Sequence, residues 1–109
     1  MADVDDDATS ARFEPASDEA GDCVLRVSGE VDMSNVALLH KAIDSLLASE
    51  PRRLVLDVRD LTFMDSSGLA VLLQIAGQNV EPVVLRHPRS IIRRLVETTG
   101  VTSVLQMES

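Results

Sequence analysis

The sequence predicts a single α/β domain, a mixed β-sheet whose strands alternate along the chain with helices packed against it. Two patterns carry that prediction. Short runs with a two-residue period, or of unbroken β-branched apolar character, alternate with longer runs whose apolar residues recur at helical spacing. The size follows from length, since 109 residues suffice for one core of ordinary dimensions and not for two. With 45% hydrophobic and 26% charged residues, the chain has the balance of a globular protein in water.

Residues 1–20 stand apart from this pattern. Asp, Ala, Ser and Glu dominate there without sustained periodicity, too little apolar surface to offset the entropy of ordering. The segment is therefore expected to be an acidic flexible leader to a domain spanning residues 21–109. One short strand could arise within it, around residues 12–15, because Phe13 has something to bury; Pro15 would confine it to a sheet edge.

Cys23, Leu25 and Val27 then alternate with Val24, Arg26 and Ser28, the period of a strand ending at Gly29. Ser34 is placed to cap a helix with Val36, Leu39, Ile43 and Leu46 or Leu47 as its inner stripe, His40, Lys41 and Asp44 turned away, and Pro51 closing the unit. Residues 54–58 read as a central strand with Asp57 its one polar member. After a turn at Arg59 and Asp60, Asp65-Ser66-Ser67-Gly68 leads into residues 69–76, long and apolar enough for a largely buried helix. Residues 82–86 read as a further strand. Pro88 suits the first turn of a last helix, with Ile91, Ile92, Leu95 and Val96 inward, Arg89, Arg93 and Arg94 mostly outward, and Gly100 as a left-handed terminator. Residues 101–107 form a final short strand or a docked tail.

Charge and composition narrow the function classes. The formal net charge is −8, and residues 1–32 carry it: ten acidic side chains stand there against Arg12 and Arg26, whereas residues 33–109 hold eight of each sign. A phosphate backbone selects for clustered positive charge and bases stack on aromatic rings, of which there are only Phe13 and Phe63. Nucleic acid is not an expected partner. The longest apolar run, residues 69–73, is too short to span a bilayer, and the acidic start is the opposite of a secretory signal, so no direct membrane insertion and a cytoplasmic location are expected. Cys23 is the only cysteine and reads as a small buried hydrophobe.

Catalytic motifs are equally scarce. Asp3, Asp5, Asp7 and Glu14 fall at calcium-loop positions, yet Ala8 replaces the required glycine and no flanking helices are evident. A hydrolase elbow needs glycine two residues before its serine, where Met64 stands. His40 and His87 lie on different elements without a second ligand at metal spacing. The expectation is a protein that is not an enzyme and uses no cofactor or metal.

The informative segment is Phe63-Met64-Asp65-Ser66-Ser67-Gly68-Leu69, small polar residues at a helix start. Asp and Ser are good N-caps and Gly68 allows close packing, which accounts for part of the pattern. A helix start also offers backbone N–H groups and a positive dipole end to an anion placed there, so a phosphoserine would be stable at this point. This run, together with Gly29-Glu30-Val31-Asp32 upstream and the helix near Pro88 before Gly100, resembles the STAS-domain family, in particular its bacterial anti-sigma factor antagonists. The resemblance covers roughly residues 22–107.

It implies a partner-switching cycle. The unphosphorylated antagonist binds an anti-sigma factor with serine kinase activity and frees a sigma factor for transcription, as in a stress response. That kinase modifies the serine after the motif aspartate, here Ser66 with Ser67 as fallback, and a serine phosphatase restores it. The implied partner-binding surface comprises Gly29, Glu30, Asp32, Met64, Asp65, Ser66, Ser67 and Gly68, with Asp32 either shaping the kinase-facing surface or capping the following helix. The acidic leader and the pair Arg93-Arg94 are not required by the family pattern. A second reading keeps the fold but drops the switch, giving a phosphorylation-independent STAS module in a scaffold or membrane-transport complex. A third, a small-ligand or nucleotide sensor, has no motif behind it.

Overall fold

The structure, a computed structural model, describes residues 10–17, 22–78, 83–99 and 105–108. Among these residues the chain runs β1 (Ala11–Ser17), β2 (Cys23–Val31), α1 (Val36–Leu47), β3 (Leu54–Asp57), β4 (Leu61–Met64), α2 (Ser66–Gln78), β5 (Val83–Arg86), α3 (Ser90–Thr99) and β6 (Leu105–Glu108). All six strands join one sheet in the order β1-β2-β3-β5-β6, with β4 beside β2. The β1–β2 pair is antiparallel and every other pair is parallel, so the sheet is mixed as the alternation of elements predicts.

One face of the sheet carries the helices. Leu25 and Val27 of β2, Leu54 and Leu56 of β3, Val83 and Leu85 of β5 and Leu105 of β6 share a core with Leu39 and Ile43 of α1, Leu72 and Ile75 of α2, and Ile92 and Val96 of α3. The helical spacing read from α1 places Leu39 and Ile43 inside, with Val36, Leu46 and Leu47 half-buried at the margin. On the opposite face Val24, Val55 and Val84 form a buried row of their own, packed by Ala16. Beside it the register aligns Glu14, Arg26, Asp57, Arg86 and Glu108 across five strands, alternating in sign. Arg86 Nε donates to Glu108 Oε1 at 2.7 Å, and Arg53 Nη2 donates to the buried Asp22 at 2.8 Å. Long charged side chains of opposite sign thus line a sheet face that no helix of the described residues covers.

Several elements differ from the sequence reading. Residues 11–17, within the segment expected to be leader, form β1 at the sheet edge, longer than the strand envisaged at 12–15; Ala11 is buried and Phe13 half-buried. β2 continues past Gly29 to Val31 because a register shift at Gly29 and Glu30 lets the strand change partners. Its first half pairs with β3 and its last three residues with β4, a strand the sequence reading had merged into a turn. β4 is four residues long and buried only at its two ends, so it shows no two-residue period. The last helix begins at Ser90, two residues beyond Pro88, its first turn closing on the Arg89 carbonyl, which accepts the Ile92 and Arg93 N–H groups. Ile91, one residue and so about 100° round the helix from the buried Ile92, faces solvent instead of joining it. Gly100 and residues 101–104 lie outside the described residues, and the final strand is Leu105–Glu108.

Candidate functional site

β2 and β4 end side by side, with Val31 in register with Met64, and each runs into the same kind of turn. After β2, Asp32 Oδ1 accepts the Ser34 N–H at 2.9 Å and the Ser34 hydroxyl at 2.5 Å. After β4, Asp65 Oδ1 accepts the Ser67 N–H at 2.9 Å and the Ser67 hydroxyl at 2.5 Å. In both, an aspartate folds back on the serine two residues ahead, an arrangement that short acceptor side chains favour at chain reversals. The residue between them is left on the crest. Those crest residues are Met33, 81% exposed, and Ser66, also exposed. The two turns are joined, since the Asp65 N–H donates to the Val31 carbonyl at 3.1 Å.

Asn35, buried at 1% exposure, fixes the first turn from below. Its Oδ1 accepts the Asp32 N–H at 3.0 Å and its Nδ2 donates to the Glu30 carbonyl at 2.8 Å, satisfying backbone groups at the end of the strand. The sequence reading passed over Asn35 and assigned the α1 cap to Ser34. In the structure Ser34 is turned back onto Asp32, and Asn35 stands at the N-cap position of α1. Asp32 therefore organises the turn ahead of α1, its carbonyl accepting the Asn35 and Val36 N–H groups, and its side chain makes no bond into the helix.

Asp65 caps α2. Its carboxylate receives the Ser67 and Gly68 N–H groups, and its carbonyl receives the Leu69 N–H at 3.3 Å. The Ser67 hydroxyl, helped by the N–H groups of Gly68, Ser67 and Met33, holds the Asp65 carboxyl below its ordinary value of 3.8, against partial burial that pushes it up. A group whose folded value is depressed contributes stability above its unfolded value and loses it as the pH falls through the folded value. Asp65→Ala is therefore expected to lower the melting temperature by roughly 5 °C at neutral pH, a gap that closes as the pH is taken down through the lowered value. Thermal melts of both proteins from neutral to strongly acidic pH check this; a gap independent of pH would remove the carboxylate from the account.

The site residues divide by burial. Ser66 is exposed, and its hydroxyl makes no hydrogen bond among the described residues. Ser67 is half-buried and its hydroxyl is committed to Asp65. Glu30 is exposed and Asp32 and Asp65 are half-buried. Met64 and Gly68 are buried: a Cβ on Gly68 would lie 2.5 Å from Met64 Cγ and 3.0 Å from Val31 Cγ1, so the close approach seats α2 on the sheet. Gly29 holds a φ of 88° where β1 crosses β2. One expectation changes. Asp65 already occupies the N–H groups of Ser67, Gly68 and Leu69, so the start of α2 has few free donors to offer an anion on Ser66.

A family model described as Mlab, STAS domain, matches residues 16–106. The chain belongs to the STAS-domain family. Among its relatives this STAS domain is 31% identical over 96 residues to the anti-sigma-F factor antagonist RsfB of Mycobacterium tuberculosis, a match covering 85% of the chain and 78% of that protein. Its structure superposes on that of an anti-sigma factor antagonist from Mycobacterium paratuberculosis with a TM-score of 0.78 and 29% identity, over 91% of this chain and 86% of the other. The fold is also that of the anti-sigma factor antagonist SpoIIAA in its unphosphorylated form, TM-score 0.72 at 20% identity over 90% and 89% of the two chains. No helix among the described residues is long and apolar enough to cross a membrane.

Proposed function

We propose that this STAS domain is an anti-sigma factor antagonist switched at Ser66. Unphosphorylated, it binds an anti-sigma factor that has serine kinase activity and so releases a sigma factor in the cytoplasm. The kinase transfers the γ-phosphoryl group of ATP to the Ser66 hydroxyl oxygen, ADP leaves, and the complex parts; a serine phosphatase hydrolyses the phosphate and resets the cycle. Similarity to RsfB supports the partner class. The observation that carries the choice of residue is the contrast between neighbours, since the Ser66 hydroxyl is exposed and free while that of Ser67 donates to Asp65.

A phosphate on Ser66 adds about −1.5 to −2 charges. With the nearby N–H groups taken by Asp65, it projects from the crest of its turn beside Asp65 and the loop bearing Glu30 and Asp32. A partner fitted to a neutral hydroxyl there meets both bulk and concentrated negative charge.

The test is phosphosite mapping by mass spectrometry after incubating the protein with ATP and lysate of its source cells, with Ser66→Ala in parallel. Phosphate is expected on Ser66 and absent from the variant. Modification at Ser67 instead would move the switch by one residue, and an unmodified protein under several growth conditions would leave a phosphorylation-independent module.

A further inference from the structure

We propose that the chain pairs with a second copy of itself through the outer edge of β1, on a twofold axis at Phe13. β1 ends the sheet, and its direction of hydrogen bonding is fixed by the Glu30 N–H, which donates to the Ser10 carbonyl at 3.0 Å. In an antiparallel ladder that alternation places the backbone groups of Arg12 and Glu14 towards β2 and those of Ala11, Phe13 and Pro15 outwards. Pro15 thus stands where its missing donor costs the β1–β2 ladder nothing.

The outward row is self-complementary in one register. With Phe13 opposite Phe13 of the other copy, the two residues exchange a pair of N–H to carbonyl bonds. Each Ala11 N–H then meets the carbonyl of the other copy's Pro15, the only polar group which that proline offers. In the same register Arg12 lies directly opposite the other copy's Glu14, twice over, as a close pair of opposite charge. Arg12 is exposed and makes no ion pair among the described residues, so it is available for this. Pro15 leaves the opposite Ala11 carbonyl without a donor, and charge selects the register, since a shift of two residues either way sets Arg12 against Arg12 or Glu14 against Glu14.

Apolar surface continues beside the strand. Phe13, Leu38 and Ala42 line an open cleft of about 600 Å³ between β1 and α1, and Leu38 is 45% exposed. A second β1 laid along the edge brings its Phe13 to this cleft. Five paired residues and one cleft make a small interface, so the dimer is weak, with a Kd of tens to hundreds of micromolar. The charge of −8 on each copy also opposes association at low ionic strength.

Sedimentation equilibrium of the full chain from about 10 µM to about 1 mM, in roughly 0.15 M salt to screen that repulsion, tests this. The mass is expected to rise towards the dimer. Arg12→Glu and Glu14→Arg should each remain monomeric, because like charges then face one another, while an equimolar mixture of the two should associate at least tenfold more tightly than either alone. Circular dichroism shows whether both variants keep the fold, and Arg12→Glu leaves the Glu14–Arg26 register pair intact. A wild-type monomer throughout would overturn the proposal. So would association indifferent to the single changes, or a mixture no tighter than its components; slow amide exchange at Ala11 and Phe13 in a monomer would assign the edge to another segment of this chain. The Ser66 switch plays no part in this pairing.

Discussion

Gly29→Ala is expected to destabilise the protein by about 2–4 kcal/mol. Gly29 holds a φ of 88°, which costs an L side chain roughly 1–2 kcal/mol. A Cβ there would also lie 2.1 Å from the Ser10 carbonyl oxygen and 3.0 Å from Ala11 Cα. Those are backbone atoms of the neighbouring strand, so relief requires β1 to lift away, breaking the bond from the Glu30 N–H to Ser10. The residue sits where β2 leaves its pairing with β3 and takes up β4, and its own N–H donates to the Asp60 carbonyl at 3.0 Å. Urea unfolding of the two proteins measures the loss. A midpoint unchanged within error would mean that β1 is not seated on Gly29 as described.

The second large effect is on binding. Ser66→Ala is expected to hold the cognate anti-sigma factor persistently, since it keeps the small uncharged crest and cannot be modified. Ser66→Asp is expected to weaken the same complex at least tenfold, more than about 1.4 kcal/mol, by placing a second carboxylate beside Asp65. The fold should survive the change, because an acidic residue in the first turn of a helix is favoured by the helix dipole. Isothermal titration against the kinase isolated through the Ser66 phosphorylation reaction, with melting curves of both variants, separates the two effects. Equal affinity of the two variants would sink the charge-based switch even if Ser66 were modified in cells.

Much of this architecture could be read from the residues alone, and the exceptions have physical causes. α1 and α2 carry long stretches at helical spacing, and β2, β3 and β5 carry apolar runs bounded by turn residues, so their existence follows from periodicity. β4 was missed because four residues buried only at their ends leave no period to detect. The exposed Ile91 depends on how α3 is rotated against the sheet, which adjacent apolar residues at 91 and 92 leave open. At the site, Asp65, Ser66 and Asp32 were legible from the motif. The doubled turn was not, because it depends on Val31 and Met64 standing in register, a fact of pairing between strands some thirty residues apart. Asn35 escapes notice for a related reason: a polar side chain can be recognised as structural only when the backbone groups it must satisfy, here the Glu30 carbonyl and the Asp32 N–H, are known to lie at the end of the strand.

β4 hangs from the sheet by one neighbour. β3 is flanked by β2 and β5, whereas β4 pairs with β2 alone, through Leu61, Phe63 and Met64, and the Asp65 N–H extends that line to Val31. β1 and β6 also have a single neighbour, but β4 has the fewest register pairs of the described strands, and what holds it besides β2 is the burial of Leu61 and Met64 at its two ends. In the proposed switch, then, the modified serine stands just beyond a strand that β2 alone holds edgewise and that its two buried ends pin to the core.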